Sequence, residues 1–542
     1  MKNLSVFNQF CAVAFFVIIL NYSVQVDSIP AFPGAEGFGT ETKGGRGGRV
    51  IKVTNLLPSG PGSLYDACMA GGSRIVVFEV SGAIKGNIYL NFHYITIAGQ
   101  TAPGEGITIE GGLTNRRGIS DMVIRFLRFR QRALGPDDVA TIWQSRNVVL
   151  DHCSFGWGCD ENMDFSETKD ITMQWCIINE SAIYKPGTQI LCHDKGIPHN
   201  YGIIHKYGEA SHLSLHHTLM AQHERRYPLL NAEEDDIRNN VMYNWASLCI
   251  YFSGGYPDQH SIPFPHKLNV VGNYFKRGPQ DEGAGPIAGY SDMHIYNKDN
   301  YVTNGVVTVS HSLSEPFPDS PEITTHSAQE AYDLVLDKAG AWPRDSLDRR
   351  NVNEVRTGTG GYGRKETPLT KSSGTVPDDN DEDGMPDQWE IINGLDPDIA
   401  DNNGTDLHRT YTNIEVYLNQ LAERLIAGEN DPLNNPISVG VAEKMLNEKL
   451  SCFSHTPNPF SGQISITMPN DINSPGNVCF EIINIHGQVL YSADISAKYP
   501  EKVIQWNGKG TNGREVTAGI YLARIRQLNN NKILKMSKFI KI

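Results

Sequence analysis

The chain has 542 residues, of which 20% are charged and 39% hydrophobic, with 52 glycines and a formal net charge of −14 at pH 7. That length excludes a single small domain, the composition excludes a disordered chain, and the acidic balance excludes a general basic surface for nucleic acid or anionic lipid. So much glycine at modest charge suits a turn-rich β protein, and a polyanionic partner would need a local cationic device such as bound metal ions.

In chain order, Lys2, the apolar run "CAVAFFVIIL" at 11–20 and the polar "NYSVQVDS" predict a secretory signal peptide over 1–28, too short for a comfortable membrane span. Export permits disulfides. Yet Cys68, Cys153, Cys159, Cys176, Cys192, Cys249, Cys452 and Cys479 show no metal-ligand spacing, and Cys153 and Cys176 read as stacked core residues.

From about residue 90 to 310 short strand signals recur, among them "YITIAG", "DMVIRFLRF", "NVVLDHCSF", "DITMQWCII", "HLSLHHTLM" and "LNVVGNYF". Taking Val148, Ile171, Leu213 and Ile237 as equivalent gives steps of 23, 42 and 24, the long one holding an inserted loop or an extra coil. Strands repeating at twenty-odd residues predict a right-handed parallel β-helix; the hairpin signals of a β-sandwich are mostly missing.

Next, "SAQEAYDLVLDKAGAWPRD" predicts a helix with a Ser327/Glu330 capping box and an apolar face of Ala331, Leu334 and Val335, packed on the β-helix. Residues 356–377 have linker composition. "DNDEDGMPDQWE" then places Asp379, Asp381, Asp383, Gly384, Asp387 and Glu390 at positions 1, 3, 5, 6, 9 and 12 of a calcium loop. Hard oxygen ligands at that spacing wrap Ca²⁺, and the glycine permits the sharp turn. The helical "TNIEVYLNQLAERL" should pack on the helix starting near Asp387, and the loop's role reads as structural.

The last 87 residues are strand and turn, and "PNPF", "NIHGQVL", "WNGK", "GIYL" and the basic tail resemble the C-terminal sorting domain of type IX secretion substrates of Gram-negative bacteria. An adhesive Ig-like module competes with that reading.

Counting back from the strands puts five polar residues on one side of the coil. Asp138 lies 10 before Val148, Asp160 and Asp164 lie 11 and 7 before Ile171, Lys206 lies 7 before Leu213, and Arg226 lies 11 before Ile237. Carboxylates stacked about one coil apart repel one another. A calcium ion would remove that cost, provided the chain bends between Asp160 and Asp164, as Gly158, Glu161 and Asn162 allow. A hydrated acidic edge is the plain alternative, and it does not explain Lys206 and Arg226 in the same register.

The segments "GPDDVATIWQSRNVVLDHCSF", "DENMDFSETKDITMQW" and "HHTLMAQHERRYPLL" resemble the polysaccharide lyase family that contains the pectate lyases, over roughly residues 30–355. "LDH" at Leu150 to His152 matches that family's Trp-Ile-Asp-His signature with two substitutions. The resemblance implies groove calcium ligands at Asp138, Asp160 and Asp164, with Asp137 assisting and Pro136 where a further ligand would be expected. It puts the catalytic Arg-x-Pro on Arg226, Tyr227 and Pro228. Arg226 would remove the uronate C5 proton, Lys206 would pair with the uronate carboxylate, and Arg225 is the fallback base and a substrate contact. Asn231 stands where the family often has a second arginine, so substrate binding on that side should differ. Asp151 and His152 read as an internal pair shaping the site. His205, His212, His216, His217 and His223 read as satisfied surface or stacking residues rather than a metal cluster.

The expected architecture is all-β: a signal peptide at 1–28, a right-handed parallel β-helix at 29–355, a linker at 356–377, an EF-hand-like calcium-loop module at 378–430, a linker at 431–455 and a β-sandwich sorting domain at 456–542. The expected function is calcium-assisted β-elimination on an acidic plant cell-wall polysaccharide (pectate or pectin). The protein is expected to be a monomer, exported through the periplasm by the secretion machinery to the cell surface or medium, with no nucleic-acid partner. A hydrolase on the same fold and a non-catalytic pectin-binding protein are the alternatives.

Overall fold

The computed structural model describes residues 29–439 apart from 133–137, 185–187, 189–190, 192–198, 253–265, 289–292, 310–311 and 364, together with strands and short stretches between 454 and 541. The expected signal peptide, Pro136, Asp137, Cys192 and Cys452 lie outside the described residues.

Each coil contributes one strand to each of three parallel sheets of ten, nine and eight strands. In one coil these are Arg146–Asp151, Ser154–Gly156 and Glu161–Asp164, after which the chain returns to the first sheet at Lys169–Gln174. The stacked result is a right-handed parallel β-helix. Alternate side chains point inward: Val148 and Leu150, then Phe155, then Met163, each fully buried beside its equivalents from the coils above and below. No coil has a core of its own, so stacking is what removes these side chains from water.

Register in the first sheet runs Val148 to Ile171 to Leu213, as the spacing predicts, and the 42-residue step holds an inserted loop rather than an extra coil. The next equivalence is corrected by two residues: Leu213 pairs with Asp235, and Ile237 pairs with Leu215. A slip of two preserves inward and outward parity, so the apolar pattern alone could not expose it.

The corner between the first and second sheets is nearly invariant. One residue per coil there takes a left-handed backbone, namely Phe126, His152, Trp175, His217 and Asn239. The residue after it satisfies a buried N–H of the coil below. The Cys176 thiol accepts from Cys153 N (3.4 Å), Thr218 Oγ1 from Cys176 N (3.3 Å), Asn240 Oδ1 from Thr218 N (2.9 Å) and Asn273 Oδ1 from Asn240 N (2.9 Å). Cys153 and Cys176 are therefore stacked core thiols heading a polar ladder that meets the requirement for paired buried backbone groups.

The helix Ala328–Lys338 carries the Ser327/Glu330 capping box and buries Ala331, Val335 and Leu336 against the outside of the second sheet, while Leu334 is only half-buried. A second helix, Ser346–Thr357, capped by Asp345, extends the same layer. Residues after it are strapped to the coils: Tyr243 donates its hydroxyl to Thr359 O (2.7 Å), and Ser373 N donates to Ser81 Oγ (2.9 Å). Helices Asp387–Asn393 and Asn413–Ile426 pack on each other through Trp389 and Tyr417, and both lie on Ile75, Val77, Ala98 and Phe126 of the β-helix. Within the tail, a three-stranded and a four-stranded antiparallel sheet enclose Phe460, Ile466, Phe480, Trp506, Tyr521 and Phe539.

Candidate functional site

The third sheet and the corner leading into it hold the predicted acids. Asp138 precedes the strand Ala140–Thr141, and Asp160 precedes Glu161–Asp164, one coil further on. Glu161 N donates to Asp138 Oδ1 (3.0 Å) and the Thr141 hydroxyl donates to Asp138 Oδ2 (3.1 Å), which fixes the lower carboxylate. Asp138, Asp160 and Glu161 each offer a carboxylate oxygen within 4.8 Å of the others. Three anionic oxygens at that separation suit a hard divalent cation.

Asp164 stands apart from this trio. The turn falls before Asp160, where Trp157 is left-handed and Asn162 Oδ1 accepts from Gly158 N (2.9 Å), not between Asp160 and Asp164. An unbent strand therefore carries Asp164 onward, to a position beside Ser166, whose hydroxyl it accepts (2.6 Å). Burial, and after it the Asp138 carboxylate, push its carboxyl up to about 7, while Lys206 pulls the other way. Sequence reasoning treated Glu161 only as a turn residue, and missed it as the third member of the group. It also missed His199, whose Nδ1 lies 2.6 Å from Asp160 Oδ1 and which falls in the inserted loop.

Glu161 pairs across the sheet with Tyr201, and Tyr201 with Arg225, in one column. Arg226 is ion-paired with Glu161, and its guanidinium lies 4.0 Å from the Tyr201 ring centroid. Arg225 donates to the Tyr201 hydroxyl (2.5 Å) and lies 4.7 Å from the same ring. On an extended segment the two arginines would face opposite ways. Arg226 is left-handed (φ 70°), and both guanidinia reach one aromatic face. Lys206 is buried at the end of Tyr201–Lys206, paired in register with Asn231, and its ammonium sits 4.1 Å from the Tyr207 ring.

The Asp151–His152 pair lies elsewhere, at the corner between the first and second sheets. His152 Nδ1 is 2.9 Å from Asp151 Oδ1, and Arg125 Nε donates to Asp151 Oδ2 (2.8 Å). Against the cost of burial, His152 and Arg125 hold the Asp151 carboxyl well below the usual carboxylate range. The pair braces that corner and does not shape the acidic site. Among the other histidines, His205 pairs with Asp235 (3.0 Å), His212 with Asp170 (2.7 Å), His216 with His217 (3.0 Å) and His223 with Ser181 (2.8 Å).

In the predicted calcium loop, Asp379, Asp381 and Asp383 converge within 4.8 Å, and Asp383, Glu390 and Asp401 form a second such group. Gly384 is left-handed (φ 93°), as the turn requires. Asp387 does not join them; its carboxylate accepts from Asn380 N (2.7 Å) and ties the loop's start to the helix. Asp401 comes from beyond the helix, outside the loop's own spacing. Glu390 is fully buried with both carboxylate oxygens unpartnered by hydrogen bonds, as are Asp379 Oδ1 and Asp381 Oδ2. Such orphaned anionic oxygens fit an oxygen-seeking cation.

Burial, with neighbouring carboxylates, raises Asp383 to about 7 and Glu390 to about 9 in the cation-free loop. Both values lie above the ordinary carboxylate range near about 4, so folding takes up protons. The contribution of these two groups to the stability of the fold is therefore fully present at low pH and is lost as the pH rises through those two values. Added calcium should therefore raise the Tm of cation-free protein by roughly 5 °C near pH 8, and by much less near pH 5. Asp383→Ala should remove most of that increment while leaving kcat unchanged; loss of turnover at an unchanged Tm would assign the loop to the active site.

Comparison with known proteins bears on both ends of the chain. It is 31% identical over 425 residues to the "Probable pectate lyase C" of Aspergillus flavus, covering 73% of this chain and 94% of that protein. It is 34% identical over 432 residues to that of Neosartorya fischeri, covering 75% and 97%. Residues 456–541 match the family described as the secretion system C-terminal sorting domain. Similar solved structures include the major allergen from cedar pollen (17% identity, TM-score 0.43, 57% of this chain and 92% of that one). Pectate lyase II from Xanthomonas campestris is another (15% identity, TM-score 0.39, 57% and 98%).

Proposed function

This chain belongs to the pectate lyase family, and from that premise we propose that it cleaves pectate-type polyuronates by calcium-assisted β-elimination. The observation that carries this reading is the column itself: an arginine and a trio of carboxylates meet at Glu161, on one side of the coil, with Lys206 at the end of the neighbouring strand of the same sheet. Asp138, Asp160 and Glu161 would hold the cation, with Asp164 and Asp137 completing the set the family resemblance implies. When bound, calcium neutralises the substrate carboxylate and acidifies the proton on the adjacent C5 carbon.

The chain's own residues supply the rest. Lys206, a compact point charge, pairs with the uronate carboxylate. Tyr201 holds Arg226 over its face, within reach of a sugar lying along the third sheet, and Arg226 takes the C5 proton as the C4–O bond breaks. A guanidinium is protonated near neutrality, so activity should rise into the alkaline range. Arg225, held on the Tyr201 hydroxyl, is free of that task and serves substrate binding with Asn231. Digestion of polygalacturonate with and without EDTA, followed by the ultraviolet absorbance of the unsaturated product, tests the reading. A hydrolase would release sugars without that absorbance, and a binding protein would release none.

The loop of Asp379, Asp381, Asp383, Glu390 and Asp401, steadied by Asp387, is proposed as a structural calcium site fastening the helical module to the coils, where Lys52 bridges Asp379 (3.0 Å) and Glu79 (2.9 Å). The tail is proposed to deliver the enzyme, as a monomer, through the periplasm by type IX export. Removing residues 456–542 should leave specific activity within about twofold of the full chain, because the tail closes its own core. Loss of polymer cleavage on truncation would give the tail a carbohydrate-binding role instead.

A further inference from the structure

Glu161 occupies two positions in the site at once. Its carboxylate is the third oxygen donor of the Asp138/Asp160 group, and it is also the counter-ion of Arg226. Its backbone is fixed by the bond from its N–H to Asp138 Oδ1 (3.0 Å), and its side chain is 5% exposed against 17% for Arg226. The carboxylate therefore has little room to serve any third partner. Arg226 has a second partner, the Tyr201 face, 4.0 Å from its guanidinium.

We infer that Glu161 is a positioning residue that makes the release of Arg226 conditional on the groove cation: without the cation Glu161 holds the guanidinium, and with it Glu161 turns to the metal and lets Arg226 go. This inference rests on the reading of Asp138 and Asp160 as calcium ligands and of Arg226 as the base. A carboxylate shared between a divalent cation and a guanidinium brings two positive groups within its own width. Their repulsion weakens the looser contact, and in a buried site it is poorly screened. The cation has two further anionic donors in Asp138 and Asp160, whereas the guanidinium has the Tyr201 face. Linkage then requires the reverse effect as well, with Arg226 weakening cation binding by the same factor.

Calcium titration of the full chain by calorimetry, without substrate, reads this coupling independently of turnover. The groove event is the one lost in Asp160→Ala, and the loop event, lost in Asp383→Ala, reports that each variant is folded. Glu161→Gln should weaken the groove event by about tenfold, because an anionic ligand is gone. Arg226→Ala should tighten it by about fivefold in the native background and by less than about twofold when Glu161 is already glutamine. An unchanged groove affinity in Glu161→Gln, or an equal gain from Arg226→Ala in both backgrounds, would overturn the coupling while leaving the calcium reading intact. Absence of any event sensitive to Asp160→Ala would overturn the calcium reading itself, and the coupling with it.

Discussion

Arg226→Lys is expected to lower kcat by about 10² to 10⁴, the usual cost of a lost or misaimed general base, with a much smaller change in KM. Lysine keeps a positive charge but loses the planar fork that lies on Tyr201, so it no longer aims at C5. Binding should survive, since Lys206 and the cation held by the acidic trio would still engage the uronate. Arg225→Lys is the control that matters most: both guanidinia reach the same ring, so proximity alone does not choose between them. It should retain most of its turnover and pay chiefly in KM. Unsaturated product measured for both variants across alkaline pH decides the matter. A dead Arg225 variant would move the base by one residue, and full activity in both would place it elsewhere.

Asp160→Ala should reduce turnover by about 10² or more at low calcium, with the fold retained, because it removes one of three converging oxygens. Asp164→Ala should do comparable harm by another route. Its carboxyl feels the charges of Asp138 and Lys206, so its loss alters the field around the proposed cation and uronate positions. Excess calcium should restore part of the activity of Asp160→Ala, as a weakened site refills by mass action. Wild-type turnover persisting in EDTA would refute the role given to these acids. Circular dichroism of the two variants separates a lost ligand from a lost coil.

Much of this was legible from the chain alone, for identifiable reasons. The coil repeat could be read because inward residues such as Val148, Ile171 and Leu213 are β-branched or aliphatic at nearly constant spacing, and the capping box at Ser327 because its chemistry is local. The loop around Asp383 was legible for the same local reason. What stayed hidden depends on where separate segments meet. The two-residue slip at Asp235 leaves parity unchanged, Asp401 reaches the loop from beyond a helix, and Glu161 gains its meaning only when the left-handed turn at Arg226 brings a guanidinium back to it. The bend expected between Asp160 and Asp164 failed because Asn162 closes its turn backward, onto Gly158.

The corner laddered by Cys153, Cys176, Thr218, Asn240 and Asn273 spends two residues on each of these turns, one of them left-handed, whereas the corner entering the third sheet ranges from two residues between Glu110 and Leu113 to twenty-one between Asn179 and Tyr201. One edge of the molecule is thus a spine with no tolerance for insertion, since a single added residue would strand a buried N–H in every neighbouring coil. The opposite edge can lengthen coil by coil without disturbing the stack. Diversification of such a scaffold is confined by geometry to the corner entering the third sheet, the same corner that carries Asp138, Asp160 and Arg226, so new loop lengths arise beside the proposed site while the ladder on the other edge stays fixed.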